Sequence, residues 1–206
     1  MSSQKRLSRH PKFAPLVKKY GPPDFTRPGL GRGKNVFRSL CRSIIYQQVS
    51  GKAAESILKK FIALYPGKSF PTPQEVIATS VETLRGAGLS PQKASYIKDL
   101  AEKFSDGTIS TRTLTRMSND EIIEHLTQVK GIGVWTVHMF LIFTLNRPNI
   151  LPTGDLGIRK GFKTLFALKS LPSAQTMERL AREWRDEASI ASWYLWRVAD
   201  ECNGRK

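Results

Sequence analysis

The stretch LTQVKGIGVWTVHMFLIFTLNRPNILPTGD, Leu126 to Asp155, decides how the rest of the chain is read. In VKGIGVWTV, Gly131 and Gly133 flank one apolar residue, so the backbone can turn tightly and lie bare against a partner. Apolar residues before the turn (Leu126, Val129) and after it (Val137, Phe140, Leu141, Phe143 to Leu145) predict a helix on each side, a helix-hairpin-helix unit at about 121–145. The second helix would begin with unpaired amides and the positive end of its dipole, which together suit an anion. An ordinary turn between two helices has the same glycine spacing, so the flanking sequence has to decide.

Bulk composition says which anion to expect. The 206 residues carry 33 Lys and Arg against 17 Asp and Glu, a net charge of +16 and a pI near 10.2. That balance favours a polyanion such as nucleic acid, although a merely basic globule would share it. The length suffices for one domain or two small lobes around a core. Only two cysteines are present, Cys41 and Cys202, too few for a four-cysteine iron–sulfur cluster. Both lie in apolar helical patterns and read as buried thiols. No apolar run reaches the ~18 residues of a membrane span, and no secretory signal pattern opens the chain.

Residues 1–34 are rich in Pro, Gly, Lys and Arg and read as a basic, poorly structured leader, which could touch DNA or direct the chain to a nucleus. From Asn35 onward helical spacing dominates, first over Val36 to Ile45 and then over Ala53 to Ile62, with YQQVSG between them as a helix end or turn. Ser90 and Pro91 form an N-cap and first-turn proline, and Ser118 with Glu121 a capping box ahead of the hairpin. Later helices are expected over 156–168, 173–184 and 190–201. With no competing strand pattern, the fold class is all-α, and residues 35–206 form the helical domain.

The run VKGIGVWTV, followed by apolar helix and then LPTGDLGIRKGF, resembles the helix-hairpin-helix DNA glycosylases, in particular their alkylpurine (3-methyladenine) branch. SIIYQQVSGKAA, GLSPQKASYI and WRDEASIASWYLW also resemble that family, in the same order, so the likeness runs from about Phe37 to Trp196. It implies a two-lobed helical fold and an enzyme of base excision repair. Such an enzyme extrudes an alkylated purine from duplex DNA and hydrolyses its N-glycosidic bond. The implied partner is damaged or abasic double-stranded DNA, met by a monomer in the nucleus, or in the cytoplasm or nucleoid of a prokaryote. No cofactor is required, beyond a structural Na+ or K+ held by the carbonyls of Thr127, Val129 and Ile132. The residues ahead of the core are too few for the β domain of larger bacterial relatives.

Each candidate residue has a plainer reading beside the functional one. Asp155, alone in NILPTGDLG ahead of a helix, is a natural N-cap, and the resemblance makes it the catalytic carboxylate that stabilises positive charge on the sugar. Trp135 stands where lyase-competent relatives place a lysine; it could be core, or a π-face for an electron-poor base. Gln48 caps a turn or fills the space left by the extruded base, and Ser50 stands where close eukaryotic relatives carry a minor-groove histidine. Leu89 is a second wedge or a hydrophobic staple. Lys130, Gly131, Gly133 and Lys93 are the expected backbone contacts. Trp184, Trp193, Tyr194 and Trp196 read mostly as packing. Where the family usually has WxPYRS this chain has WRDEAS, whose Asp186 and Glu187 would repel phosphate. A damage- or junction-binding protein without turnover is the alternative function.

Overall fold

The computed structural model describes residues 5–25, 35–202 and 204. These form twelve α-helices and no strand: α1 (Ala14–Tyr20), α2 (Val36–Tyr46), α3 (Gly51–Ala63), α4 (Pro73–Ala78), α5 (Val81–Gly86), α6 (Pro91–Ser105), α7 (Thr111–Arg116), α8 (Asn119–Leu126), α9 (Val134–Phe143), α10 (Leu156–Leu165), α11 (Ala174–Ala181) and α12 (Ala188–Cys202), with a 3-10 segment, Arg182–Glu187, ahead of α12. The chain divides into two compact units, Thr26–Leu145 on one side and Met1–Phe25 with Asn146–Lys206 on the other. No helix among the described residues is long and apolar enough to cross a membrane.

In the first unit, polar caps punctuate the sequence. Asn35, Ser50, Thr72, Ser80, Ser90, Ser110 and Ser118 each accept the amide three residues on, and Thr72 and Ser118 form full capping boxes with Glu75 and Glu121. Each cap satisfies an otherwise orphaned donor and stabilises by about 1 kcal/mol. Two six-residue helices not foreseen in the sequence, α5 and α7, are short enough for these caps to matter more than any periodicity. The sequence VWTVHMFLIF of α9 is apolar on every face, and the helix is accordingly buried from Thr136 to Phe143 apart from half-buried His138. Only its first turn is exposed.

The second unit overturns the expectation of an unstructured leader for the described part of residues 1–34. Leu7 and Phe13 are fully buried in a core with Phe162, Trp184 and Tyr194, and Phe13 meets the Trp184 ring edge-on at 5.1 Å. Glu187, itself buried, accepts the amides of Arg6 at 3.2 Å and Leu7 at 3.0 Å, while Asp186 pairs with Arg6 at 3.0 Å. Tyr194 donates to the Gly21 carbonyl and Trp193 to that of Asp24. The acidic pair in WRDEAS therefore docks the N-terminal segment instead of facing phosphate. Residues 26–34 of the expected leader lie outside the described residues. Cys41 is buried as expected, and burial pushes its thiol pKa well up, but Cys202 is exposed at the end of α12.

Helices α10 and α12 lie unusually close. A Cβ on Gly161 would collide with the Leu195 carbonyl oxygen, and one on Gly157, a turn earlier on the same face, would lie 2.9 Å from Trp196 Cδ1. Two glycines four residues apart thus let α12 settle against the start of α10.

Candidate active site

Within Thr26–Leu145 the hairpin 127–133 joins α8 to α9. Gly131 has φ +77°, the left-handed region, and any Cβ there would run into the Tyr96 ring. Gly133 is the N-cap of α9, has ordinary backbone geometry and open space around it, and brings no side chain to cap the helix. Both glycines are exposed, as are Val134 and Trp135, so the positive end of α9 lies at the surface. Val129 and Ile132 are buried and anchor the turn, with the Ile132 amide donating to the Val129 carbonyl at 3.0 Å.

Two residues that sequence reasoning passed over hold this hairpin. Gln47 donates through Nε2 to the Gly131 carbonyl at 2.8 Å and so ties the α2–α3 turn to the hairpin. Asp99 accepts the Lys130 amide at 2.9 Å and the Lys103 ammonium at 3.0 Å. Burial raises the Asp99 carboxyl, but these donors and the nearby Lys130 ammonium outweigh it and leave the pKa below its ordinary value. A lone Asp in the interior of α6 gives no such signal, and Gln47 was hidden by its neighbour of the same type.

That neighbour, Gln48, has φ +54° and an exposed side chain. A non-glycine residue held in that region costs about 1–3 kcal/mol and such strain gathers at functional sites. Ser50 is exposed too, and its hydroxyl accepts the Ala53 amide as the α3 N-cap. Trp135, 50% exposed beside Val134 at 48%, is therefore not a core tryptophan. His138 lies a turn further along α9, where burial lowers its pKa and favours the neutral ring.

Two expected DNA contacts do not survive. Lys93 is turned inward: its ammonium donates to the carbonyls of Ile45 at 2.8 Å and Gln47 at 2.7 Å, capping the end of α2, and desolvation lowers its pKa. A cation satisfied by the last carbonyls of a helix is a structural cap. Leu89, just ahead of the Ser90 N-cap, is 3% exposed, so its side chain is packed inside and does not project as a wedge. Lys130, by contrast, keeps a side chain that is 68% exposed.

Asp155 belongs to the other unit. It is the N-cap of α10, partly buried, and its Oδ1 accepts the Ile158 amide at 2.8 Å and the indole N–H of Trp196 at 2.9 Å. The plainer reading of Asp155 as a cap is thus correct, and it is compatible with a catalytic one, because capping fixes the carboxylate in place.

Residues 41–186 match the HhH-GPD superfamily base excision DNA repair protein family. The chain belongs to that family. It is 38% identical over 167 residues to DNA-3-methyladenine glycosylase 1 of Schizosaccharomyces pombe, covering 81% of this chain and 73% of that protein. It is 34% identical over 204 residues to the alkylbase DNA glycosidase-like protein mag2 of the same organism, covering 96% and 94%. Among solved structures, the Schizosaccharomyces pombe 3-methyladenine DNA glycosylase in complex with abasic DNA has a TM-score of 0.81 at 36% identity, over 96% of each chain.

Proposed function

We propose that this protein is a monofunctional DNA glycosylase that extrudes alkylated purines from duplex DNA and hydrolyses the N-glycosidic bond, leaving an abasic site. The observation that carries the proposal is the Asp155 carboxylate, held by the Ile158 amide and the Trp196 indole in a chain of this family. As the bond to the base lengthens, positive charge grows on the deoxyribose, and a fixed carboxylate stabilises it or orients the attacking water. A purine alkylated on a ring nitrogen is already cationic and leaves without an acid to protonate it, so one carboxylate is enough. Trp135 offers an exposed π-face for that cationic base. It carries no amine, so no Schiff base forms at this position and strand scission does not follow.

Gln48 fills the space left by the extruded base, with Ser50 beside it toward the minor groove. The backbone amides of the exposed Gly131 and Gly133, with the Lys130 side chain, take the phosphate backbone. The carbonyls of Thr127, Val129 and Ile132 are neutral hard-oxygen donors suited to Na+ or K+, and that of Val129 keeps a second lone pair beyond its bond to Ile132. The protein works as a monomer on damaged or abasic double-stranded DNA, in the nucleus or, in a prokaryote, in the cytoplasm or nucleoid. The competing reading, a damage binder without turnover, is favoured by one observation: the short Ser50 hydroxyl is engaged in capping α3.

The test is single-turnover release of a methylated purine from a defined duplex. Base release with the product strand intact and abasic is expected. Tight binding to abasic DNA with no release supports the binder instead, and a borohydride-trapped adduct overturns the monofunctional assignment.

A further inference from the structure

We infer that Trp196 is the positioning residue of the catalytic carboxylate and that Gly157 is the space that lets it act. The inference rests on the catalytic reading of Asp155. The indole N–H of Trp196 lies 2.9 Å from Asp155 Oδ1, the oxygen that also accepts the Ile158 amide at 2.8 Å. Two donors converging on one carboxylate oxygen fix both the side-chain torsions and the plane of the group, which a single capping bond does not. A carboxylate aimed in advance at a developing cation stabilises the transition state without reorganising during the reaction.

The sequence builds this contact from α10 and α12. A Cβ at Gly157 would sit 2.9 Å from Trp196 Cδ1, closer than side-chain carbons tolerate, and a tight 3.0 Å from Asp155 Oδ1, so any other residue would force the indole to shift and crowd the carboxylate. Gly161, one turn on, permits the approach of the α12 backbone that carries the indole there. Trp196 is half-buried, whereas Trp184 and Trp193 in the same unit are buried. Its polar edge serves the carboxylate while its ring packs.

The experiment uses the full chain, with three readouts: single-turnover base release, affinity for abasic-site duplex, and thermal unfolding. Trp196→Phe removes the donor and keeps most of the ring. It should slow base release about tenfold or more, because a carboxylate that is no longer held in advance stabilises the transition state less, while abasic-DNA affinity stays within about twofold. Gly157→Ala keeps both partners but displaces the indole beside the carboxylate, and should give the same signature, rate lost and affinity kept. It serves also if Trp196→Phe fails to fold. Rates unchanged in both variants, or rate and affinity falling together, overturn the positioning role. Asp155→Asn separates the two claims. If it is inactive while Trp196→Phe and Gly157→Ala are fully active, only the positioning role is lost; if it retains the wild-type rate, the catalytic reading falls and the positioning role with it.

Discussion

Phe13→Ala should cost as much as any core truncation in the protein, although the residue lies in a segment whose composition suggests a solvated tail. Its side chain is fully buried against Trp184 and within 5.4 Å of the His10 ring. Removing a buried phenylalanine costs about 3–5 kcal/mol, the transfer of the ring plus the cavity it leaves. For a chain of this size each kcal/mol moves Tm by roughly 2–4 °C, so a drop of about 6–20 °C is expected. Tryptophan fluorescence during thermal and urea unfolding is the suitable assay, because Trp184, Trp193 and Trp196 all belong to the same unit as Phe13 and only Trp135 belongs to the other. Glu187→Gln supplies an independent check. It removes one acceptor from the pair serving Arg6 and Leu7, and leaving a buried amide unsatisfied costs about 1–3 kcal/mol. Unfolding of both variants within about 0.5 kcal/mol of wild type, the range of surface substitutions, would refute the docking of residues 5–25 onto the core.

Leu89→Ala and Gln48→Ala should separate. The first should lose about 2–5 kcal/mol of stability in urea unfolding and keep its relative preference for abasic DNA, whereas the second should unfold like wild type and lose that preference in gel-shift titrations. At Asp99 the sign is set by a depressed pKa: the stabilisation is present above the unfolded value near pH 4 and is lost as pH falls further. Asp99→Asn should therefore cost about 1–3 kcal/mol at pH 7, and the gap to wild type should close in urea titrations below about pH 4. A gap that is constant with pH would show that charge on Asp99 is irrelevant. DNA affinity should fall by orders of magnitude between about 50 and 200 mM salt if several phosphates are neutralised, as fluorescence anisotropy would report.

What the sequence made legible was local. The left-handed turn at Gly131, the Ser90 and Ser118 caps, and the capping bond from the Ile158 amide to Asp155 each involve residues within four positions, and each is where spacing put it. The misses depend on partners far along the chain. Lys93 meets carbonyls 46 and 48 residues away, and Trp196 meets Asp155 across 41. Glu187 meets Leu7 across 180, a pairing that turns an acidic departure from the family pattern into the anchor of a basic N-terminal segment. Charge counting assigns such residues to the surface because it has no access to the backbone groups that fold against them. Leu89 shows the converse, an apolar residue between a glycine and a cap whose exposure is decided by tertiary packing.

Catalysis at Asp155 is tested most directly by Asp155→Asn in single-turnover release of a methylated purine from duplex DNA. Asparagine caps a helix about as well as aspartate, so the variant should fold and unfold like wild type. It removes only the charge that the proposal aims at the developing cation. Release should slow on the order of a hundredfold or more, while affinity for abasic DNA holds or rises as a negative charge near phosphate is lost. Equal rates of base release from wild type and Asp155→Asn would contradict the assignment.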